Sequence, residues 1–254
     1  MKLLDQVAVV TGASRGIGRS IALGLAAAGA HVACLATREE NAAEVAAEIQ
    51  RRGRRALAVG CRVEDAGQVA AAVERVEAEL GPIDLLVNNA GVSLPQPLLK
   101  MTEENWDLHM NVNVKSVFLC TQAVVRRMQA AGRPGNIVNI GSILGQNAVP
   151  ATLGYCTSKA AVDHMTRVLA IECAKWGIRV NCVAPGYIRT ELIDELVRDG
   201  KLTLDAIERR TPQRRMGSGA DVANAVVYVA STDAGFMTGS VLVIDGGWNA
   251  YGYF

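Results

Sequence analysis

The sequence predicts a single α/β domain built on a doubly wound, seven-stranded parallel sheet with helices on both faces. Short runs rich in Val, Ile and Leu alternate with amphipathic segments along the whole of the 254-residue chain. Strands buried in a parallel sheet show such short apolar runs, and their alternation with helices is typical of βαβ units. Because no fixed-period repeat and no Ser/Gly/Pro-rich linker interrupts the pattern, residues 1–254 are expected to form one domain.

Seven strands and six helices are predicted from this alternation. The strands are Val7–Val10, His31–Ala36, Ala56–Val59, Ile83–Val87, Asn136–Ile140, Arg179–Val183 and Val241–Ile244. The helices are Ser20–Ala28, Glu39–Arg52, Val69–Leu80, Glu103–Ala130, Ser158–Lys175 and Asp221–Ala230, each with its apolar residues at helical spacing. The charged stretch 186–219 follows the sixth strand and breaks the rhythm, so it is expected to form a mobile helical insertion over the sheet edge.

Composition excludes several classes of function. Lys and Arg number 26 against 25 Asp and Glu, and the formal net charge of +1 gives no broad attraction to nucleic acid or anionic membranes. The six cysteines are scattered, without a C-x-x-C pair or clustered histidines. This predicts no metal site, no disulfide framework and a reducing compartment. No apolar run approaches the roughly 18 residues that span a bilayer, and the first residues lack a signal-peptide pattern, so a soluble cytoplasmic protein is expected.

A glycine-rich loop, Thr11–Gly18, lies between the first predicted strand and the first helix. Its sequence is TGASRGIG, with the spacing G-x3-G-x-G. Glycines at a strand-to-helix turn let the backbone approach a phosphate group, which then binds at the helix N-terminus. The alternative is a tight turn that uses glycine for its conformation alone. The strand and helix on either side favour the phosphate-binding interpretation.

Two further patterns lie near the carboxyl ends of predicted strands, where open α/β sheets bind their ligands. Asn88–Gly91 follows the fourth strand, and Ser142 follows the fifth. Tyr155 and Lys159 are four residues apart, so on a helix they would lie on one face. An ammonium group beside a phenol favours the phenolate, which would let Tyr155 exchange a proton with a substrate oxygen held by Ser142. A Tyr-x-x-x-Lys pair alone is common by chance, whereas all three patterns in this order are highly specific.

Together the three patterns resemble those of the short-chain dehydrogenase/reductase family over essentially the whole chain. Within that family the sequence is most similar to the 3-oxoacyl-(acyl-carrier-protein) reductases, through TGASRGIGR and the Ala36-Thr37 turn. The resemblance implies a Rossmann fold and hydride transfer between a nicotinamide cofactor and a carbonyl or carbinol carbon. It assigns four catalytic residues, which are Asn113, Ser142, Tyr155 and Lys159. Asn111 is the alternative to Asn113, but the stretch Asn113–Phe118 fits the family pattern.

The resemblance also implies a role for each of these residues. Tyr155 is the acid/base, Ser142 hydrogen-bonds the substrate oxygen, and Lys159 favours the phenolate and binds the nicotinamide ribose. Asn113 holds a water in the proton relay. The implied cofactor contacts are Gly12, Ser14, Arg15, Gly16, Ile17, Gly18, Thr37, Arg38, Arg62, Val63, Asn89, Ala90, Gly91, Tyr155, Lys159, Pro185, Gly186, Ile188 and Thr190. Arg62 departs from the family, which usually has Asp there to contact the adenine amino group; a guanidinium can stack on adenine instead.

NADP(H) is the predicted cofactor, with NAD(H) as the alternative. An NAD-dependent enzyme of this family normally carries an acidic residue at the end of the second strand, where it binds the ribose 2′-hydroxyl. That place is Ala36, followed by Thr37 and Arg38. Arg15 and Arg38 are placed to pair with a 2′-phosphate, whose geometry suits a guanidinium. Glu39 and Glu40 follow closely and could turn inward, which would favour NAD(H).

A medium-sized ketone or secondary alcohol is the predicted substrate, because the loops expected to contact it mix apolar residues with a few polar ones. The tentative contacts are Leu94, Leu144, Gln146, Asn147, Tyr187 and Leu192. A stand-alone carbonyl reductase or alcohol dehydrogenase is therefore the first choice. The alternative is a 3-oxoacyl-(acyl-carrier-protein) reductase, a subgroup that docks its acidic carrier with two arginines. Arg133 fits one of these, but Trp176 stands in the other place.

A non-catalytic dinucleotide-binding regulator is a third interpretation, and the presence of all four implied catalytic residues disfavours it.

A homotetramer is expected, partly from the resemblance. Four of the chain's few aromatic residues lie at its C-terminal end, namely Trp248, Tyr251, Tyr253 and Phe254. Aromatic residues are enriched at interfaces, although such a tail could also pack on its own subunit.

Overall fold

A computed structural model of the chain describes residues 1–198 and 203–252, apart from the side chains of residues 192, 195 and 196. Seven strands pair in one wholly parallel sheet with the order β3-β2-β1-β4-β5-β6-β7. They are β1 (Val7–Thr11), β2 (His31–Ala36), β3 (Ala56–Gly60), β4 (Leu85–Asn88), β5 (Gly135–Ile140), β6 (Ile178–Pro185) and β7 (Val241–Ile244). The predicted doubly wound sheet is confirmed, with strand ends shifted by one or two residues.

Helices cover both faces of the sheet. They are α1 (Gly16–Ala27), α2 (Glu39–Arg51), α3 (Ala66–Leu80), α4 (Glu103–His109), α5 (Ser116–Ala130), α6 (Leu153–Cys173), α7 (Glu191–Arg198), α8 (Leu204–Arg210) and α9 (Gly219–Ala230). One apolar core lies between the sheet and α1, α2 and α9, and the other lies between the sheet and α3, α5 and α6. No described helix is long and apolar enough to cross a membrane.

The predicted helix Glu103–Ala130 is wrong in one respect that affects the site. It is divided into α4 and α5 by a π-helical turn at Met110–Lys115. Such a turn inserts an extra residue into the helix and changes the direction of the side chains it carries. Here it carries both candidate asparagines, and it turns Asn113 into the protein interior while Asn111 stays exposed.

Four helices begin earlier than predicted: α1, α3 (at Ala66 rather than Val69), α6 and α9 (at Gly219 rather than Asp221). α6 begins at Leu153 rather than Ser158, so Tyr155 and Lys159 both lie on regular helix, one turn apart. α1 begins at Gly16, within the glycine-rich loop. The insertion contains α7 and α8, and an isolated parallel bridge between Ile188 and Gly217 joins its two ends. Its mobility stays a prediction.

Polar side chains buried inside the sheet join its centre to two helices. Asn88 Nδ2 donates to Thr121 Oγ1 at 3.0 Å and to Asn139 Oδ1 at 2.9 Å, and Asn139 Nδ2 donates to Thr166 Oγ1 at 2.9 Å. None of the four side chains is more than 4% exposed. Because buried polar groups are costly unless they are hydrogen-bonded, this network fixes how β4 and β5 sit against α5 and α6.

We expect Asn139→Ala to lower the free energy of unfolding by about 2 kcal/mol, because it removes the centre of this network and leaves buried partners unpaired. The matched control is Asn41→Ala on the exposed face of α2, which should change stability by less than about 0.5 kcal/mol. Urea unfolding of the three proteins provides the measurement. Equal stability of the two variants would contradict the proposed role of the network.

Candidate active site

The motif residues converge on one cleft at the carboxyl ends of the parallel strands. This cleft has a volume of about 610 Å³ and is bounded by the loops that follow β1, β2, β3, β4, β5 and β6. A second hollow of about 500 Å³ lies beside Arg54 and Arg55, near the start of β3, and contains none of the motif residues. The first cleft is therefore the candidate active site, as expected for a ligand site in an open α/β sheet.

The glycine-rich loop has a backbone path that only glycine can follow. Gly12 and Gly16 have φ angles of 65° and 55°. A Cβ atom on Gly18 would lie 2.1 Å from the Gly12 carbonyl oxygen, and one on Gly12 would lie 2.9 Å from Ala90 Cα. Asn89 Nδ2 locks the loop by donating to the carbonyls of Thr11, at 2.9 Å, and Gly12, at 3.1 Å. The loop therefore lets the cleft reach the N-terminus of α1 without intervening side chains. A helix N-terminus of this kind suits the pyrophosphate of a dinucleotide.

Lys159 lies deep in the cleft, and its ammonium group is held in place. It is only 5% exposed, and Nζ donates to the Ile140 carbonyl oxygen at the end of β5, at 2.8 Å. The same Nζ lies 5.7 Å from the centroid of the Tyr155 ring. Since an ammonium group has three protons, two remain for the phenol oxygen or for the hydroxyl groups of a bound ribose. Tyr155 and Lys159 therefore lie on one face of α6, as their spacing predicted.

Ser142 is buried at the start of the loop after β5. Its Oγ accepts a hydrogen bond from the Leu144 backbone N–H at 3.1 Å. Because the hydroxyl group is the acceptor in this bond, its own proton can be donated to a substrate oxygen. Ser142, Tyr155 and Lys159 all line the same cleft.

Asn113 is 1% exposed and braces the loop after β4. Its Oδ1 accepts from the Val92 N–H at 2.8 Å, and its Nδ2 donates to the Val92 carbonyl and to Ser158 Oγ, both at 2.9 Å. A Cβ atom on Gly91 would lie 3.3 Å from Asn113 Oδ1 and 3.7 Å from Lys159 Nζ. Asn113 therefore lies beside Lys159 and joins the loop after β4 to α6, whereas Asn111 is exposed.

Most of the predicted cofactor residues line the cleft. They are Gly12, Ser14, Arg15, Gly16, Ile17, Gly18, Thr37, Val63, Asn89, Ala90, Gly91, Tyr155, Lys159, Pro185, Gly186 and Thr190. Three of the predicted residues do not line it. Arg38 pairs with Glu40 at 3.3 Å, Arg62 pairs with Glu64 at 2.9 Å, and Ile188 is buried beside Gly217. Glu64 itself lines the cleft, and sequence reasoning missed it.

The glutamates that follow Arg38 are both paired. Arg75 of α3 donates to both carboxylate oxygens of Glu39, from Nη1 at 2.6 Å and from Nη2 at 3.2 Å. This interaction lowers the pKa of Glu39. Glu40 is the partner of Arg38. Neither glutamate lines the cleft, so the cofactor end near Ala36 and Thr37 faces no carboxylate from this turn.

None of the predicted substrate residues whose side chains the structure describes lines the cleft. Leu94 is 45% exposed, and its backbone N–H donates to His109 Nε2 at 3.2 Å. Leu144 is half-buried, while the side chain of Leu192 lies outside the described residues. Gln146 and Asn147 are exposed, and both hydrogen-bond the side-chain amide of Asn249.

The C-terminal segment folds back on its own subunit, which sequence reasoning left open. The Trp248 ring lies 4.7 Å from that of Tyr187, and burial raises the pKa of Tyr187. The Arg210 guanidinium of α8 lies 4.8 Å from the Trp248 ring and 5.1 Å from the Tyr251 ring. Two of the four C-terminal aromatic residues are therefore packed within the subunit, and residues 253 and 254 lie outside the described part of the chain. Among the described residues, no group of three His, Cys, Asp or Glu side chains could hold a metal ion.

Known proteins are similar to this chain in sequence and architecture along nearly their full length. A family model described as enoyl-(acyl carrier protein) reductase matches residues 12–249. The 3-oxoacyl-(acyl-carrier-protein) reductase FabG of Haemophilus influenzae is 38% identical over 242 residues, which are 95% of this chain and 97% of that protein. A solved structure of a short-chain type dehydrogenase/reductase from Mycobacterium marinum matches with a TM-score of 0.92 at 40% identity, over 98% of both chains.

A second solved structure contains a bound nucleotide. It is a gluconate 5-dehydrogenase from Burkholderia cenocepacia in complex with NADP and tartrate. It matches with a TM-score of 0.92 at 37% identity, over 98% of this chain and 97% of that one. Fold, motif order and sequence thus agree, and the chain belongs to the short-chain dehydrogenase/reductase family of oxidoreductases, which act on CH–OH and C=O groups.

Proposed function

We propose that the protein is an NADP(H)-dependent carbonyl reductase or secondary-alcohol dehydrogenase. The observation that carries this proposal is the buried ammonium group of Lys159, hydrogen-bonded to the Ile140 carbonyl and facing Tyr155. This charge is positioned where a phenolate would form during proton transfer, and electrostatic stabilisation of that kind is most effective when it is preorganised. A regulator that only binds a dinucleotide has no need for a tyrosine beside this ammonium group.

The reaction divides between the cofactor and the side chains of this chain. When bound, the nicotinamide supplies or accepts the hydride. Tyr155 donates a proton to the substrate oxygen in reduction and accepts it in oxidation, with Lys159 stabilising its anionic form. Ser142 donates a hydrogen bond from its hydroxyl group to the same oxygen and so orients the carbonyl group. Asn113 hydrogen-bonds Val92 and Ser158 and so holds the loop after β4 against α6. It is also the proposed anchor for a water in the proton relay.

A free small substrate is favoured over a carrier-bound one. Arg133, one of the two positions expected to dock an acidic carrier, is paired with Asp84 at 2.6 Å. The other position is Trp176, whose ring lies 4.6 Å from the Lys175 ammonium group. The 38% identity to a 3-oxoacyl-(acyl-carrier-protein) reductase keeps that activity as the second candidate. One relative is named a 3-oxoacyl-(acyl-carrier-protein) reductase and another a gluconate 5-dehydrogenase, so the two names specify different substrates.

NADP(H) is the proposed cofactor because arginines lie in the loops after β1 and β2, where a 2′-phosphate is expected to bind. Arg15 lines the cleft, and Arg38 is exposed at the start of α2 and can leave Glu40 for a doubly charged phosphate. Arg75 holds Glu39, the carboxylate that directly follows Arg38 in the sequence. The similar gluconate 5-dehydrogenase binds NADP.

A homotetramer is proposed from apolar side chains that the subunit leaves exposed. Phe118 on α5 and Ile171 on α6 are 46% and 80% exposed, and Phe236 near the edge strand β7 is fully exposed. Every residue of β7, Val241–Ile244, is only half-buried. Apolar helix faces and an apolar sheet edge suit contact with further copies of the chain.

We expect Tyr155→Phe to lower turnover of a ketone substrate by about 10²–10⁴-fold, because it removes the proton donor. The dissociation constant for NADPH, measured by fluorescence titration, should change by less than about twofold. The control is Tyr228→Phe on α9, a half-exposed tyrosine away from the cleft, which should turn over like the unaltered protein. Turnover by Tyr155→Phe within a few-fold of the unaltered protein would overturn the proton-transfer assignment.

We expect kcat/KM to favour NADPH over NADH by at least about tenfold, which corresponds to about 1.4 kcal/mol. Replacing Arg15 and Arg38 together by Ala should erase the preference, since both guanidinium groups are proposed to bind the 2′-phosphate. Arg51→Ala, an exposed arginine at the other end of α2, is the control and should keep it. Equal or better use of NADH by the unaltered protein would contradict the cofactor assignment.

Light scattering should return a mass of about four chains of 26.9 kDa each. Ile171→Glu should reduce that mass, because a charge cannot be buried unpaired in the proposed helix interface. Ala43→Glu, on the exposed face of α2, should not. A mass near 26.9 kDa for the unaltered protein would rule out the tetramer.

A further inference from the structure

Asp163 is a buried carboxylic acid that has no part in the mechanism above. It lies on α6, one turn after Lys159 and two turns after Tyr155, on the same helical face. It is only 4% exposed. Aspartate is almost never buried to this extent unless its carboxyl group is paired or has a specific role.

The Asp163 carboxyl group touches both ends of the loop that carries Ser142. A Cβ atom on Gly141 would lie 2.8 Å from Oδ1, and one on Gly145 would lie 2.9 Å from Oδ2. Only glycine therefore fits at either position, and the backbone of residues 141–145 passes directly over the carboxyl group. Cys182 Sγ in β6 donates to the same Oδ1 at 3.4 Å.

The loop above this carboxyl group sets the direction of the Ser142 hydroxyl. Gly145 N–H donates to the Ser142 carbonyl at 2.9 Å, and Leu144 N–H donates to Ser142 Oγ at 3.1 Å. Both bonds depend on a tight turn between Gly141 and Gly145. A shift of either glycine would move the Leu144 N–H and would release Ser142 Oγ.

Burial disfavours a charge on the Asp163 carboxyl group. Burial raises the pKa of Asp163, and the Cys182 thiol, the Gln146 amide and the charges of Arg167 and Lys159 only partly oppose that shift. Gln146 approaches the group, but no donor among the described residues reaches Oδ2 at hydrogen-bond distance. An asparagine side chain, which has the same shape and no charge, should therefore fit this place.

We propose that Asp163 is a positioning residue. Its carboxyl group packs against Gly141 and Gly145 and thereby fixes the direction in which the Ser142 hydroxyl group points toward the substrate oxygen. The proposal rests on the proposed function, in which Ser142 hydrogen-bonds that oxygen. Asp163 itself touches neither substrate nor cofactor and acts through Ser142.

The kinetic test is a double-mutant cycle between Asp163 and Ser142. Asp163→Ala should lower kcat by about tenfold or more while the NADPH dissociation constant changes by less than about twofold, because only the substrate-orienting group is displaced. Asp163→Asn should restore kcat to within about threefold of the unaltered protein. In the Ser142→Ala background, Asp163→Ala should lower kcat further by less than about twofold. Glu172→Ala, an exposed carboxylate on the same helix, is the control and should have no effect.

A second measurement reports on the loop without using turnover. Hydrogen exchange of the Leu144 and Gly145 amides should be faster in Asp163→Ala and unchanged in Asp163→Asn, since both amides are bonded to Ser142. If the unaltered protein turns over no ketone or alcohol, only the proposed function is refuted. The exchange rates would still test whether Asp163 holds the loop of residues 141–145 in place. Unchanged exchange in Asp163→Ala, or equal loss of kcat in the two backgrounds of the cycle, would overturn the positioning role.

Discussion

The buried ammonium group of Lys159 is the constraint on which the site depends. A charge that is 5% exposed must be hydrogen-bonded, and the Ile140 carbonyl at the end of β5 provides the bond. This bond fixes α6 against the carboxyl end of the sheet at one rotation about its axis. Tyr155, one turn earlier, then faces the cleft, and Asp163, one turn later, lies under the Ser142 loop. A single helix face thus presents the acid/base, its cation and the support for the neighbouring serine.

The loops after β1 and β4, which also bound the cleft, are held by side-chain amides rather than by charges. Asn113 uses three hydrogen bonds to hold Val92 and Ser158, and the π-helical turn gives it the direction to do so. The glycine-rich loop is locked in a similar way by Asn89. Side-chain amides therefore provide hydrogen bonds to backbone groups just beyond the strand ends, where no neighbouring strand is present to provide them. Donors in the cleft include the N-terminus of α1, Ser142, Tyr155 and Lys159.

The sheet and the motif positions could be predicted because each depends on local pattern. Apolar runs mark the strands, and parallel pairing brings their carboxyl ends together wherever the connections are helical. The start of α6 was missed, because two poor helix formers, Pro150 and Gly154, lie next to it. The π-helical turn was missed because it is stabilised by Val92, which lies 21 positions away along the chain.

Pairwise charge interactions were also beyond a reading of the sequence. Arg38 and Arg62 each lie two residues before a glutamate and pair with it instead of lining the cleft, while Arg75, on a different helix, takes Glu39. Asp163 and Asn249 carry no motif, and only the fold brings them to the Ser142 loop. Distant residues of this kind decide the fine geometry, whereas the motifs decide the chemistry.

The central claim is that this cleft moves a hydride between NADP(H) and a carbonyl carbon. It is tested most directly by incubating the protein with NADPH deuterated at C4 and a panel of ketones, followed by mass spectrometry of the products. The account predicts that at least one ketone gives an alcohol with a single deuterium on its carbinol carbon, and that Tyr155→Phe does not produce it. Tight binding of NADPH with no deuterium in any product would contradict the account.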